Sequence, residues 1–348
     1  MLKKSFLMKN KFFGAMDMES FLREPYITNY IGVINSYLDR AVSDYFPMLR
    51  EMSRYAIRGG GKRIRPLLAV LSCEAVGGDP KLAIPVAVAY ELAHTAALIQ
   101  DDVLDRSPKR RGKPSVWKLY SLGEAILLSD LFLFEIYGVL AEYENLNLPP
   151  KRLYRLLRLI RESAKNAAWG ELLDLELAKR SDVTVEDYLE MIRFKTGSLL
   201  AAPAAAGAIV AGASESRVQA LYLFAERIGM AYQIQDDILD IVGSEEEIGK
   251  PIFLDLKAGK KSIVLIHALK NATGDERRFL EGIMFKNLRK RDVERVRRII
   301  DRLGSVVYAR ELSLKLAEEG RRYLRLLKPS MARDALLKLS YVAVNRYA

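Results

Sequence analysis

The sequence predicts an all-α protein, and three observations carry that prediction. Apolar residues recur at three- and four-residue spacing along almost the whole chain, as in Leu153, Leu156, Leu157 and Ile160, or Val296, Ile299, Ile300 and Leu303. No segment longer than a few residues alternates between apolar and polar as a half-buried strand does. Clusters of glycine and proline punctuate the periodic stretches. Helices are expected near 18–44 and 47–57, the second ending at Gly59-Gly60-Gly61, then near 62–77, closed by Gly77-Gly78-Asp79-Pro80. The next pair, near 81–105 and 116–144, ends ahead of Pro149-Pro150, and the helix near 151–178 carries the Leu153 stripe. Helices near 185–212 and 215–243 follow, and Gly249-Lys250-Pro251 separates them from 260–271, 275–285, 291–325 with its Val296 stripe, and 331–346.

No Pro/Ser-rich linker divides the chain, so residues 17–348 are expected to form one helical domain behind a flexible tail at 1–16. The opening residues carry lysines but no apolar run of signal-peptide length; a frayed tail fits them, as does a true start at Met8, Met16 or Met18. Half of the 348 residues are hydrophobic and 28% are charged, which excludes a wholly disordered or collagen-like chain. Lys and Arg number 55 against 44 acidic residues, a net charge of +11 that favours acidic partners such as phosphates, nucleic acid or anionic lipid. A single cysteine, Cys73, and two histidines, His94 and His267, exclude an intrachain disulfide and a Cys/His zinc site. The longest uncharged stretch, Thr196–Ser214, approaches the roughly 20 residues of a membrane span. Its Ala, Gly and Pro203 suit close helix packing better than lipid.

One near-repeat stands apart. Ile99-Gln100-Asp101-Asp102-Val103-Leu104-Asp105 returns as Ile234-Gln235-Asp236-Asp237-Ile238-Leu239-Asp240, identical at six of seven positions. Residues four apart share a helix face, so Asp101 lies over Asp105 and Asp236 over Asp240, with Asp102 and Asp237 alongside. Like charges so placed destabilise an isolated helix by about 0.2–0.5 kcal/mol per pair unless a cation neutralises them. Oxygen ligands without His or Cys suit Mg²⁺, which keeps several waters and is shared between one or two carboxylates and a substrate phosphate. Two such clusters facing each other could grip a diphosphate through bridging metal ions. The structural alternative is a pair of charged helix ends bonded to Lys and Arg, and the duplication weighs against it. Basic residues bracket both clusters: Lys62, Arg63 and Arg65 after a glycine turn, Arg110 and Arg111, Lys195 ahead of Thr196-Gly197, then Lys250, Lys260 and Lys261. Arginine offers phosphate a planar fork and lysine a movable point charge, although each residue alone also reads as solvated surface.

In this order and spacing, Gly61-Lys62 through Arg65-Pro66, the first aspartate motif, Arg110-Arg111-Gly112, Lys195-Thr196-Gly197, and Gln233 ahead of the second motif make the chain resemble the trans-isoprenyl diphosphate synthase family. The resemblance to these all-α polyprenyl synthetases covers about residues 20–345. Gln100 stands where a His is common, Trp117 replaces a frequent His and Glu171 a frequent Gln; none of these removes a metal ligand.

The resemblance implies the isoprenoid synthase fold, an antiparallel helical bundle around a central cavity, and head-to-tail, all-trans condensation of an allylic diphosphate with isopentenyl diphosphate. Asp101, Asp105 and Asp236, supported by Asp102, Asp237 and Asp240, are expected to hold about three Mg²⁺ ions on the allylic diphosphate. Arg110, Lys195, Lys250 and Lys260 would add positive charge to the leaving group, while the Thr196 hydroxyl and the Gln233 amide oxygen stabilise the carbocation. Isopentenyl diphosphate must not ionise, so it is expected in a metal-free basic pocket of Lys62, Arg65, His94 and Arg111. His94 stands about two helical turns before Asp101, on the same face; a buried, hydrogen-bonded structural histidine is the alternative. A cytoplasmic homodimer with no nucleic-acid partner and at most peripheral membrane contact completes the expectation.

Chain length is read from the helix ahead of Asp101, where Ala97 and Ala93 lie one and two turns deeper with Ala96 beside them. In the family a bulky aromatic at the Ala96 or Ala97 position closes the tunnel of many short-chain enzymes. The small residues here point to a product of C20 or longer, unless Tyr90 or a residue of the 116–144 helix closes the tunnel. Three other readings remain: a short-chain synthase with such a floor, a terpene cyclase or head-to-head synthase, and a non-catalytic partner subunit.

Overall fold

The computed structural model describes residues 17–243, 253–286 and 288–345. The expected tail and the Gly249-Lys250-Pro251 turn lie outside the described residues. In chain order the helices are α1 (Met18–Leu22), α2 (Pro25–Ala41), α3 (Pro47–Arg58), α4 (Ile64–Ala75), α5 (Ile84–Leu104), α6 (Val116–Leu119), α7 (Leu122–Ala141), α8 (Pro150–Lys179) and α9 (Val185–Ile192). After these come α10 (Ser198–Val210), α11 (Glu215–Val242), α12 (Leu254–Lys257), α13 (Ile263–Asn271), α14 (Gly274–Gly282), α15 (Lys290–Arg302), α16 (Ser305–Tyr323) and α17 (Met331–Val342). The all-α expectation holds, and the helix boundaries differ from the expected ones where local chemistry intervenes. The 18–44 helix is two, because Pro25 has no N–H to continue a ladder and instead occupies the first turn of α2. The 116–144 helix breaks before Ser121, whose hydroxyl accepts from the Glu124 N–H and caps α7. Gly304, at φ +65°, divides 291–325 into α15 and α16.

One feature was not expected. Lys109–Arg110 (β1) and Lys113–Pro114 (β2) pair antiparallel, Lys109 opposite Pro114 and Arg110 opposite Lys113. Arg111 (φ +51°) and Gly112 (φ +77°) form the turn, with positive φ at both positions as a tight two-residue hairpin favours. Two residues per strand leave no alternation for a sequence reading to detect.

The described residues divide into two compact units, the first drawn from 17–160, 200–225 and 323–345 and the second from 161–199 and 226–322. In the first, α5 is packed mainly against α4 and α7 and buries Val86, Ala87, Val88 and Leu92, each large aliphatic contributing about 1.5–3 kcal/mol. The segment Pro80–Leu104 is long and apolar enough to cross a membrane, yet its most apolar 18 residues are 72% buried inside the protein. Ala201, Ala202, Ala204, Ala205, Ala206 and Ala208 of α10 are buried too. A Cβ on Gly207 would overlap the Ala69 carbonyl oxygen of α4, so the small residues of the uncharged stretch serve close backbone approach. The second unit buries Ile263, Val264 and Leu265 of α13 and Val296, Ile299 and Ile300 of α15. There the Lys261 ammonium donates to the carbonyls of Leu177 (3.1 Å) and Ala178 (2.8 Å), satisfying the C-terminal end of α8.

Candidate active site

Both aspartate motifs occupy the ends of helices. Asp101 and Asp102 lie in the last turn of α5 and Asp105 is its C-cap, while Asp236, Asp237 and Asp240 fall in the last two turns of α11. The C-terminal end of a helix carries partial negative charge, and acidic groups there cost about 0.3–1 kcal/mol each. No basic residue sits in the last turn of either helix. The fold therefore places acidic clusters where the helix itself adds to their repulsion, an arrangement that demands cations.

In the first unit the three aspartates differ. Asp101 is half-buried and Asp105 exposed, whereas Asp102 turns inward and is 3% exposed. The Arg110 Nε donates to Asp102 Oδ2 at 2.8 Å, and Oδ1 is buried with no hydrogen-bond partner. Burial pushes the Asp102 carboxyl above the usual range, and the Arg110 guanidinium pulls the other way. Beside it opens a cleft of about 560 Å³ whose lining includes Tyr55, His94, Asp102, Arg110 and Arg111. His94 is held well below its ordinary pKa by burial and then by the positive charges of Arg65, Arg111, Arg110 and Arg63, so it is a neutral ring among guanidinium groups. The cleft brings His94 and Arg111 together, and it also takes in Arg110, which the sequence reading sets apart with the allylic leaving group. Lys62, exposed, lies on the adjoining loop just before Arg63, and Arg65, half-buried, lies in the first turn of α4.

The chain-length residues separate. Ala93 and Ala97 are half-buried, but Ala96 is fully buried, and its carbonyl accepts a long 3.4 Å hydrogen bond from Ser129 of α7. Ala96 therefore belongs to the packed side of α5.

In the second unit a cavity of about 400 Å³ is lined by Asp174, Tyr188, Lys195, Gln233, Asp237 and Lys260, among others. The expected 185–212 helix is interrupted here by a wider π turn, Arg193–Gly197, which presents Lys195 and Thr196. Two glycines make room for it. A Cβ on Gly170 would overlap the backbone nitrogen of Lys195, and one on Gly197 would stand 3.2 Å from the Glu226 Cγ. The Lys195 ammonium bridges Asp174 (2.7 Å) and Glu171 (2.8 Å), and Lys260 reaches Asp174 at 3.5 Å. Burial disfavours the Lys195 charge, but the two carboxylates more than offset it and raise its pKa above that of an ordinary lysine. Thr196 Oγ1 donates to Gln233 Oε1 (2.9 Å), Gln233 Nε2 donates to Asp237 Oδ1 (3.0 Å), and the Tyr188 hydroxyl donates to Asp237 Oδ2 (2.6 Å). Both oxygens of Asp237 are thus engaged in a buried chain that fixes the Gln233 amide. Asp236 is half-buried and Asp240 buried. Lys250 lies outside the described residues.

Sequence reading missed Asp174, Tyr188 and Gly170. Asp174 was detectable as an acid one turn from Glu171, and Gly170 as a lone glycine inside a helical pattern; nothing in the spacing marks Tyr188. Among the described residues, no group of three or more His, Cys, Asp or Glu is placed to hold a metal ion by itself. The donors nonetheless fit a hard divalent cation. They are carboxylate oxygens, one of them a buried orphan, and Mg²⁺ takes only one or two carboxylates before completing its shell with water and substrate phosphate.

All-α architecture, acidic helix ends and cavities that bring Arg and Lys side chains beside carboxylates fit the class of enzymes that act on diphosphates. The polyprenyl synthetase family model matches residues 46–303, and the chain belongs to that family. It is 36% identical over 321 residues to the short chain isoprenyl diphosphate synthase of Methanothermobacter thermautotrophicus, covering 92% of this chain and 97% of the relative. It is 34% identical over 324 residues to the geranylgeranyl diphosphate synthase of Saccharolobus solfataricus, with 92% and 97% covered. The solved geranylgeranyl pyrophosphate synthetase of Pyrococcus horikoshii superposes with a TM-score of 0.84 at 35% identity, over 90% of this chain and 95% of that one. A polyprenyl synthase of Caulobacter crescentus, solved with calcium and isoprenyl diphosphate, gives 0.86 at 27% identity over 95% and 98%.

Proposed function

We propose that this prenyltransferase condenses an allylic diphosphate with isopentenyl diphosphate, head to tail and all-trans, to make a prenyl diphosphate of C20 or longer. The observation that carries the reading is the pair of aspartate motifs at helix C-termini without a basic residue in either last turn, and the relatives named for geranylgeranyl diphosphate support the chain length. Asp101, Asp105 and Asp236, with Asp102 and Asp240 in support, would hold the divalent ions, about three Mg²⁺, whose bound charge would help neutralise the diphosphate leaving group. Arg110, Lys195 and Lys260 add fixed positive charge to the same leaving group. Thr196 and Gln233, joined by a hydrogen bond from the hydroxyl to the amide oxygen, would stabilise the allylic cation, with Asp237 orienting Gln233. Isopentenyl diphosphate binds at Lys62, Arg65, His94 and Arg111, where neutral His94 can accept or donate a hydrogen bond without adding to the crowded positive charge. Residues 17–348 act as one catalytic domain, working as a cytoplasmic homodimer with at most peripheral membrane contact. The apolar residues exposed on α7 support the dimer.

The test is chromatography of products formed from isopentenyl diphosphate with dimethylallyl, geranyl, farnesyl or geranylgeranyl diphosphate. Elongation to C20 or beyond is expected. Hydrocarbon formed without isopentenyl diphosphate identifies a cyclase instead, and a purified chain inactive with every primer identifies a partner subunit.

A further inference from the structure

We propose that Arg63 is a positioning residue for the isopentenyl diphosphate pocket, acting through its buried ion pair with Glu91; this rests on the function proposed above. Arg63 sits between two candidate diphosphate ligands, Lys62 and Arg65, yet it is turned away from solvent and only 8% exposed. Its guanidinium is spent on the fold. Nε donates to Asn35 Oδ1 of α2 (2.9 Å), Nη2 to the Ile57 carbonyl of α3 (2.8 Å) and Nη1 to Glu91 Oε1 of α5 (2.6 Å). One side chain therefore ties the loop between α3 and α4 to three helices. Its own backbone is left-handed, at φ +50°, a conformation that bulky residues keep only where surrounding contacts enforce it.

The consequence reaches the cleft. A Cβ on Gly61 would stand 3.1 Å from Arg111 Nη1 and 3.2 Å from Arg63 Nη1, so both guanidinium groups lie against the same turn of backbone. Glu91 compensates the buried one, leaving Arg111 beside His94, one helical turn beyond Glu91. The network sets where Lys62 and Arg111 stand, and it includes none of the aspartates assigned to the metal.

Arg63→Lys keeps the charge but loses the planar fork that makes three bonds at once. The expected result is a rise of tenfold or more in KM for isopentenyl diphosphate, with KM for the allylic diphosphate and kcat at saturation within about twofold of wild type. Glu91→Gln, which removes the compensating charge with little change of shape, should show the same split, and it serves as the test should Arg63→Lys fail to fold. An unchanged KM for isopentenyl diphosphate in a folded variant, or equal rises in both KM values, overturns the proposal. Wild-type protein that consumes no isopentenyl diphosphate would instead overturn the reaction itself, before any variant is compared.

Discussion

Asp101 and Asp236 are the carboxylates on which turnover is expected to depend most. Both are half-buried at helix ends, so alanine should leave the packing intact while lowering kcat by about 10²–10³-fold, read by steady-state assay beside an unchanged circular dichroism spectrum. His94 makes a second prediction. Its folded pKa lies well below 6.5, so below that pH the unfolded chain binds a proton that the folded protein refuses, and stability falls as pH falls. His94→Gln should remove up to about 1.4 kcal/mol per pH unit from the acid limb, measured by denaturant unfolding across pH 4–7. Much of the candidate site could be named at this scale because the proposed chemistry needs particular side chains in a fixed order, such as Asp101 to Asp105 or Lys195-Thr196. Arg63 shows the limit: it looks like Lys62 and Arg65 in the sequence, and only its three buried bonds separate it from them.

At the scale of elements, the 3.6-residue period located helices correctly and their ends less well, since Pro25, Ser121 and Gly304 interrupt stretches whose apolar pattern continues. The π turn at Arg193–Gly197 has no periodic signature at all; it depends on α8 coming close enough to touch the Lys195 backbone at Gly170. Gly170→Ala should therefore shift Lys195 and lower kcat together with Tm, at a stability cost of about 1–3 kcal/mol, seen by activity and calorimetry on one preparation. On α5 the alanine stripe splits by face. Ala97→Phe should shorten the product at little cost in Tm, whereas Ala96→Phe should also lower Tm, because Ala96 is fully buried and a ring there overpacks its surroundings. Product chromatography and thermal melts distinguish the two outcomes.

For the molecule as a whole, the boundaries between the two units fall within α8, α10 and α11 and at the end of α16. No change of composition marks them, which is why the sequence reads as one domain. Quaternary structure was likewise illegible in the pattern, since α7 is apolar nearly all round and periodicity does not say which side meets a partner. The structure leaves Leu127, Phe134 (72% exposed) and Tyr137 in solvent, an apolar display that soluble proteins seldom leave uncovered. Leu127→Glu with Phe134→Glu should convert the proposed homodimer to monomers in sedimentation velocity, and a double variant that still sediments as wild type refutes this face as the contact. The carboxylate pair around Lys195 bears on working range. Its extra stability is present below the pKa of a free lysine and fades only as alkalinity passes the higher folded value. The Lys195 ammonium thus keeps its charge in moderately basic medium, after solvent lysines have begun to discharge, and if it anchors the diphosphate as proposed, a fall in activity there has to come from another group.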